Sequence, residues 1–270
     1  METLTPKQRE IRERERRILD VATPMIREHG MSAIKMDSIA QAMNLTRGTI
    51  YNHFPNKEEI LMAMAGRAVA RRMALFHFAT TLADRPRWSC AAIGLAAEVY
   101  ADHLPDDFAI EQMVRHDPVW QKTSPKRRTV LLDCEELCIQ AIGSLIDAAI
   151  ECGDLDGSTT TTIASLKQQI TFGLWSLVYG GLVIEATSPS LVTSGIEEPR
   201  QAIRRNCNAL LDQLDWRPHY KASEYNALVN RITPNLIVRA NELQHEHFEG
   251  PSDLMLGAQT PNGGEKDHDS

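Results

Sequence analysis

Apolar residues recur at helical spacing in nearly every segment of this chain, and prolines or glycines separate the segments. From Gln8 to Glu28, for example, Ile18, Ala22 and Ile26 fall on one face of a helix. The composition also favours helix, since Ala, Leu, Met, Glu, Arg and Gln dominate and runs of β-branched residues are sparse. No segment alternates apolar and polar residues over a useful length. The sequence therefore predicts an all-α fold.

Breaks in the apolar pattern divide the chain after residue 57 into a succession of amphipathic helices. A less regular helical extension is expected to follow them and to be interrupted by Pro234. The C-terminal residues are rich in Gly, Pro and polar side chains, so we expect them to be disordered. The predicted helices are 57–82, 86–103, 106–116, 124–152, 160–186 and 196–215, the extension is 218–249, and the disordered tail is 250–270.

Composition excludes several classes of protein. With 43% hydrophobic and 24% charged residues, the chain resembles an ordinary globular protein. The longest uncharged stretch, Gln168 to Ile184, is 17 residues long, whereas a membrane span needs about 20 mostly apolar residues. The five cysteines form no CxxC pair, so we expect neither a disulfide framework nor a zinc site. The charged N-terminus lacks the apolar core of a secretory signal. We therefore expect a cytoplasmic protein without membrane attachment.

Charge is distributed unevenly along the chain. Residues 1–57 carry a net charge of +3 and residues 58–270 a net charge of -10, within a total of -7. A basic N-terminal part on an acidic body is typical of a nucleic-acid reader with a separate partner or ligand module. An excess of three charges is also common on protein surfaces, so this pattern alone decides nothing.

The segment from Met36 to Leu61 predicts two short helices joined by a tight turn. Asn44 falls in the turn, where asparagine tolerates the left-handed backbone that such turns often need. Thr46 is placed to cap the second helix, because its hydroxyl accepts from an N–H of the first turn. Gly48 has no side chain and allows a close approach to that helix.

The second helix is expected to present outward side chains that all form hydrogen bonds and include no carboxylate. A solvated face usually mixes in Glu and Asp, so this surface suits a polyanion. Arg47 can donate twice to a guanine edge, and Asn52 or Thr49 can read adenine or thymine. Phosphate contacts, which fix register without reading sequence, are expected from Tyr51, His53 and Lys57. The outward positions are Thr46, Arg47, Thr49, Asn52 and His53, with Tyr51 on the flank.

These residues resemble the helix-turn-helix of the TetR family of bacterial transcription regulators. The run Gly48-Thr49-Ile50-Tyr51, one residue, His53-Phe54, two residues, Lys57-Glu58 is hard to obtain by chance. The sequence similarity covers about 50 of the 270 residues. The rest of the chain agrees with the family only in its helical architecture and its length. Three positions depart from the family pattern: Lys35 replaces the Ser or Thr cap of the second helix, Asn44 replaces the usual turn glycine, and Pro24 lies inside the first helix.

The resemblance implies an N-terminal three-helix DNA-binding domain followed by a helical-bundle domain for ligand binding and dimerisation. It also implies a homodimeric repressor that a small-molecule effector releases from a palindromic operator in double-stranded DNA. Under this interpretation residues 1–9 are a flexible arm, 10–65 the DNA-binding domain and 66–217 the helical body. The expected DNA contacts are Lys35, Thr46, Arg47, Gly48, Thr49, Tyr51, Asn52, His53 and Lys57.

Two further sets of residues follow from the family architecture. In the family the last two core helices form a four-helix dimer interface, here 160–186 and 196–215. An effector cavity is expected among the preceding helices, although plain core packing is the more common role for each lining residue. The expected interface residues are Ile170, Leu174, Leu177, Gly181, Ile203, Cys207, Leu210 and Leu214, and the expected lining residues are Trp88, Tyr100, Phe108, Met113, Trp120, Cys138, Phe172 and Trp175.

Other functions find less support in the sequence. It contains no Ser-His-Asp order, Gly-rich phosphate loop or HExxH motif, so we expect no enzyme, no cofactor, no catalytic residue and no metal site. The alternative hypothesis is an all-helical interaction or adaptor module that keeps the helix-turn-helix shape and binds a protein partner through 218–249.

Overall fold

The computed structural model describes residues 5–30, 34–115, 117–158, 162–246 and 248. These residues form helices throughout and no strand, as the sequence predicts. The expected tail 250–270 lies outside the described residues. The helices are α1 Pro6–His29, α2 Met36–Ala42, α3 Arg47–His53, α4 Lys57–Thr81, α5 Pro86–His103, α6 Pro105–Met113, α7 Asp117–Lys122, α8 Pro125–Glu151, α9 Ile163–Thr187, α10 Pro199–Gln213 and α11 Ala222–Leu243.

Three prolines that the sequence predicts to interrupt or disturb a helix lie within helices in the structure. Pro118 lies in the first turn of α7, a short helix the apolar pattern did not predict, because proline is tolerated where no intrahelical N–H bond is needed. Pro234 lies inside α11, which continues through it, so the predicted interruption is wrong. Pro24 likewise lies inside a continuous α1.

The chain divides into two compact units. Of the described residues, unit 1 holds 5–30, 34–70, 109–115, 117–134 and 248, and unit 2 holds 71–108, 135–158 and 162–246. The N-terminal unit is therefore larger than the predicted 10–65, because α7 and the first part of α8 are included in it. The order of the helices in the sequence does not predict that residues 109–134 pack with the N-terminal helices.

Unit 1 has its core where α1, α2 and α3 meet. Ile18, Ile39, Ile50 and Phe54 are fully buried there. At its edge Arg67 of α4 donates to Asp20 Oδ1 of α1 over 2.6 Å. This core fixes which side of α3 faces inward.

Unit 2 contains a close contact between α9 and α10. A Cβ placed at Gly173 would lie 2.6 Å from Leu210 Cδ2, which is shorter than side chains tolerate. The core beside this contact is closed by Trp216, which is fully buried and lies just after α10. Because Gly173 has no side chain, the Leu210 side chain of α10 can pack directly against the backbone of α9.

The C-terminal helix α11 packs along α5 in unit 2. Its buried side is apolar, and the ring of Tyr225 lies 6.5 Å from that of Trp88 on α5. Beyond its last residue the Gln244 side chain donates to the His103 carbonyl over 2.7 Å. Residues 218–246 of the predicted extension therefore belong to unit 2. Its buried residues are Tyr225, Leu228, Ile232, Leu236, Ala240 and Leu243.

Candidate nucleic-acid interface

The turn between α2 and α3 has the backbone that its residues predict. Asn44 has a φ of 54°, in the left-handed region that asparagine tolerates. The Thr46 hydroxyl accepts from the Thr49 N–H over 3.2 Å and so caps α3. Lys35 precedes α2 without a side-chain hydrogen bond to the helix, so the α2 cap is missing as its sequence suggests. The expected helix-turn-helix geometry is present.

One side of α3 is anchored in the core and the other is open. Ile50 and Phe54 are fully buried, whereas Arg47, Tyr51 and Asn52 are exposed. Because residues four apart lie on one side of a helix, the buried pair fixes the direction of the open side. That side contains no carboxylate from α3 itself.

Gly48 and Lys35 border this open side. Both are exposed, and a Cβ at Gly48 would come within 4 Å of only the Thr46 hydroxyl oxygen, at 3.9 Å. The missing side chain therefore leaves open space above the start of α3. Lys57, the first residue of α4, is half-buried.

Arg47 is held by two neighbours that the sequence did not connect. Its Nε lies 2.9 Å from Asp37 Oδ1 of α2, and its Nη2 donates to the Tyr51 hydroxyl over 3.5 Å. The hydrogen bond to Tyr51, followed by the charge of Asp37, raises the pKa of Arg47 above its ordinary value. A carboxylate thus borders the open side after all, although it comes from α2. Its position ten residues earlier gives no local signal.

His53 does not lie where the sequence predicts. Its side chain is only 7% exposed, and its Nδ1 lies 3.8 Å from Glu15 Oε1 of α1. Arg127 Nη2 of α8 donates a hydrogen bond to Oε2 of the same Glu15 carboxylate over 3.0 Å. The guanidinium of Arg127 lies 4.5 Å from the Phe54 ring centroid. His53 therefore belongs to a partly buried network of α1, α3 and α8 side chains at the end of α3. The contribution of Arg127 was also missed by sequence reasoning, since it comes from the distant α8.

The residues expected to line an effector cavity do not form one group. In unit 2 the rings of Tyr100 and Phe108 lie 6.4 Å apart, edge to face, as buried core residues. Cys138 accepts from Arg72 Nη1 over 3.3 Å. Trp88, as described above, packs against α11, whereas Met113 and Trp120 belong to unit 1.

Phe172 and Trp175 are instead exposed on α9. They line an open groove of about 710 Å³ between α8 and α9, where Ile139 faces them. The groove ends near the pair formed by Lys167 Nζ and Asp147 Oδ2, which are 2.6 Å apart. These aromatic side chains lack an intramolecular partner surface of the kind that core residues have.

Most of the residues expected at a dimer interface pack against other residues of the same chain. Ile170 and Ile203 are buried, and Leu174 and Leu214 pack against the core cluster around Trp216. Gly181 lies against Ile203, Leu210 covers Gly173 as described above, and Leu177 and Cys207 are half-buried.

Helix α9 is long and apolar enough to cross a membrane by length and composition, with a mean hydropathy of 1.4 over its best 18-residue window. Only 11% of that window is buried within the chain. A single helix of this kind is weak evidence for a membrane protein, and its exposed apolar face is the feature to be explained. Among the described residues, no group of three or more His, Cys, Asp or Glu side chains is placed to hold a metal ion.

Comparison with known proteins agrees with this arrangement. Residues 18–64 match the sequence model described as "Bacterial regulatory proteins, tetR family". Over 60 residues, 22% of this chain, the sequence is 35% identical to the HTH-type transcriptional repressor KstR of Mycolicibacterium smegmatis and to the repressor of the same name from Mycobacterium tuberculosis. The aligned part is 29% and 27% of those proteins, so the chain matches less than a third of the length of these curated relatives.

Solved structures extend the similarity of the fold beyond the N-terminal unit. A tetR-family regulatory protein from Rhodococcus RHA1 superposes with a TM-score of 0.52 at 18% identity, over 74% of this chain and 96% of that one. The TetR-family regulator PfmR from Thermus thermophilus gives 0.52 at 19% identity, over 73% and 97%. The fold and the α2–α3 site define a helix-turn-helix protein with a helical body. The helix-turn-helix in residues 18–64 is similar to that of the tetR family of bacterial regulatory proteins.

Proposed function

We propose that the chain is a sequence-specific DNA-binding repressor that acts as a homodimer and leaves a palindromic operator when a small effector binds its helical body. The observation that carries the proposal is the open side of α3. Burial of Ile50 and Phe54 leaves Arg47, Tyr51 and Asn52 exposed. These side chains suit a guanine edge, a phosphate and an adenine edge, respectively.

The exposed face of α9 supports the homodimer. At 1.5 Å per residue, its 25 residues span about 37 Å. A standard stable interface buries ~800 Å² per partner, and a long exposed helix flanked by an open groove offers a surface on which such an interface can form. Phe172 and Trp175 supply the aromatic anchors that such interfaces favour.

Charge also favours a second copy as the occupant of this face. The chain carries a net charge of -7, so identical copies repel each other over most of their surface. The groove between α8 and α9 contains one Asp and one Lys, which pair with each other. Two copies can therefore meet there without opposing like charges.

The release step rests on the resemblance to the family. An effector acts if it prefers the DNA-free conformation by about 1–3 kcal/mol. In unit 2 the rings of buried Tyr100 and Phe108 and of half-buried Tyr179 form an aromatic cluster, and a small molecule that enters the body would have to displace contacts of this kind.

Selection of bound duplexes from a randomised library tests the proposal. We expect a palindromic consensus with half-sites about 34–36 Å apart and an affinity that falls steeply between two salt concentrations. Arg47→Ala should relax base preference, and Tyr51→Ala should weaken binding to every duplex, with a smaller loss of base preference because Tyr51 also contacts Arg47. Arg205→Ala, which removes an exposed arginine of α10, is the matched control. If both α3 variants bind as tightly as wild type, the reading helix is wrongly assigned.

A further inference from the structure

A carboxylate faces the candidate base-reading arginine. Asp37 Oδ1 lies 2.9 Å from Arg47 Nε, and the two side chains are 65% and 64% exposed. On the other side the guanidinium carbon of Arg47 lies 5.5 Å from the centroid of the Tyr51 ring. The Arg47 side chain is therefore restrained from two directions, although it lies at the surface.

The position of the carboxylate decides which donors of Arg47 stay available. A guanidinium has one N–H on Nε and two on each Nη. Asp37 occupies the Nε side, and the contact with the Tyr51 hydroxyl is long, at 3.5 Å. The two Nη groups remain as a parallel fork, the donor geometry that matches O6 and N7 of guanine.

We propose that Asp37 is a positioning residue for base readout, which holds Arg47 so that its Nη fork reads a guanine in each half-site. The inference rests on the proposed DNA-binding function. A carboxylate next to the duplex opposes the phosphates and lowers affinity for every sequence. In compensation, Asp37 improves discrimination between sequences. A restrained Arg47 fork fits one base edge and loses little conformational entropy when it binds that edge.

A purely structural role for Asp37 makes a different prediction. Asp37 lies in the first turn of α2, where a negative charge stabilises the helix, and Lys35 provides no side-chain cap there. If this were its only role, Asp37→Asn would lower the stability of α2 and would leave the preference among bases unchanged.

The experiment measures the ratio of affinities for the selected duplex and for the same duplex with its half-site guanine replaced, by fluorescence anisotropy. This ratio does not depend on the fraction of protein that is folded. In Asp37→Asn we expect the ratio to fall about tenfold, within the range of one bidentate contact. Binding to unrelated duplexes should become tighter, because a negative charge is lost. Asp37→Glu should restore part of the ratio.

Two controls separate the possible causes. Glu10→Gln, which removes an exposed carboxylate of α1 that pairs with Arg14, should leave the ratio unchanged. In an Arg47→Ala background, Asp37→Asn should have no further effect on the ratio. The inference is overturned if Asp37→Asn keeps the ratio within twofold, or if it lowers the ratio equally without Arg47. A wild-type chain that selects no duplex would instead overturn the proposed function, and the inference with it.

Discussion

Gly181 on α9 lies directly against Ile203 on α10, so that a Cβ at this glycine would stand 2.6 Å from Ile203 Cγ1. The neighbouring Gly180 meets no atom within 4 Å of such a Cβ. Two consecutive glycines of one helix therefore have different environments, and only Gly181 is required by the contact between α9 and α10.

The same substitution at these neighbours should have opposite effects. Gly181→Ala crowds Ile203 and should lower the free energy of unfolding by about 1–3 kcal/mol. Gly180→Ala should raise it by up to about 1 kcal/mol, because alanine is the better helix former. Urea unfolding at one fixed protein concentration measures both. Equal effects of the two variants would show that α9 and α10 do not pack as described.

Phe172→Asp should dissociate the proposed homodimer. Phe172 is 67% exposed on α9, and Val192, in the loop after α9, is 69% exposed. A charge at the centre of the interface should weaken association at least tenfold, since a hot-spot residue contributes about 2 kcal/mol or more. Val192→Asp adds the same charge at a residue of similar exposure outside the helix, and should change nothing. Sedimentation velocity over a concentration series measures the association state of the three proteins. A wild-type chain that stays monomeric would refute the proposed dimer.

Breaking the buried ion pair of α4 and α6 should strongly destabilise unit 2. Arg71 Nη1 lies 3.0 Å from Asp107 Oδ2, and each side chain is 9% exposed. Asp107→Ala leaves an uncompensated buried charge, so we expect a loss of about 3–5 kcal/mol in chemical denaturation. The double variant Arg71→Met/Asp107→Leu should recover most of that loss. A double variant as unstable as the single one would indicate that packing, not charge, sets the cost.

Helix α11 should behave as part of the core. Leu236 is fully buried and Val238, two residues later, is 57% exposed. Leu236→Ala should cost about 2–5 kcal/mol of unfolding free energy, whereas Val238→Ala should stay within about 0.5 kcal/mol. Thermal and urea unfolding measure the difference. Equal, small effects would favour the alternative in which 218–249 is a free docking helix.

Cysteine reactivity should follow burial. Burial raises the pKa of the Cys90 and Cys207 thiols to about 12, so both remain protonated and unreactive from pH 7 to pH 9. Cys152 is exposed and should be alkylated first. Mass spectrometry after timed iodoacetamide treatment at pH 8 gives the order, and urea should accelerate labelling of Cys90. Rapid native labelling at Cys90 would contradict its burial.

The sequence predicted most helices because their limits depend on local chemistry. Thr46 caps α3, Asn44 adopts the left-handed turn, and most of the predicted proline and glycine breaks lie at or next to the ends of helices. Pro118 and Pro234 were misinterpreted because proline is compatible with a first helical turn and with an exposed interior position. The residues next to a proline in the sequence do not show whether it ends a helix or lies within one.

The candidate site could be predicted only in part. Helical periodicity places residues on one stripe, but it does not say whether that stripe faces the same chain or another. The resemblance to the family, and not the spacing, assigns the leucine and isoleucine stripe of α9 to a dimer interface, and one member of that stripe, Ile170, is buried within the chain. The contacts of Asp37 and His53 depend on how separate helices meet, which no spacing in the sequence contains.

The network at the end of α3 has a genetic consequence. Arg127 of α8 contacts Glu15 Oε2 over 3.0 Å and Glu59 Oε2 over 3.1 Å, and Glu59 also accepts from the Ser124 backbone. Under the proposed function, alleles that abolish DNA binding should therefore arise at residues 124–127 as well as within 36–61. In a linear mutation map these alleles would form two separate groups, although they report damage to a single recognition element.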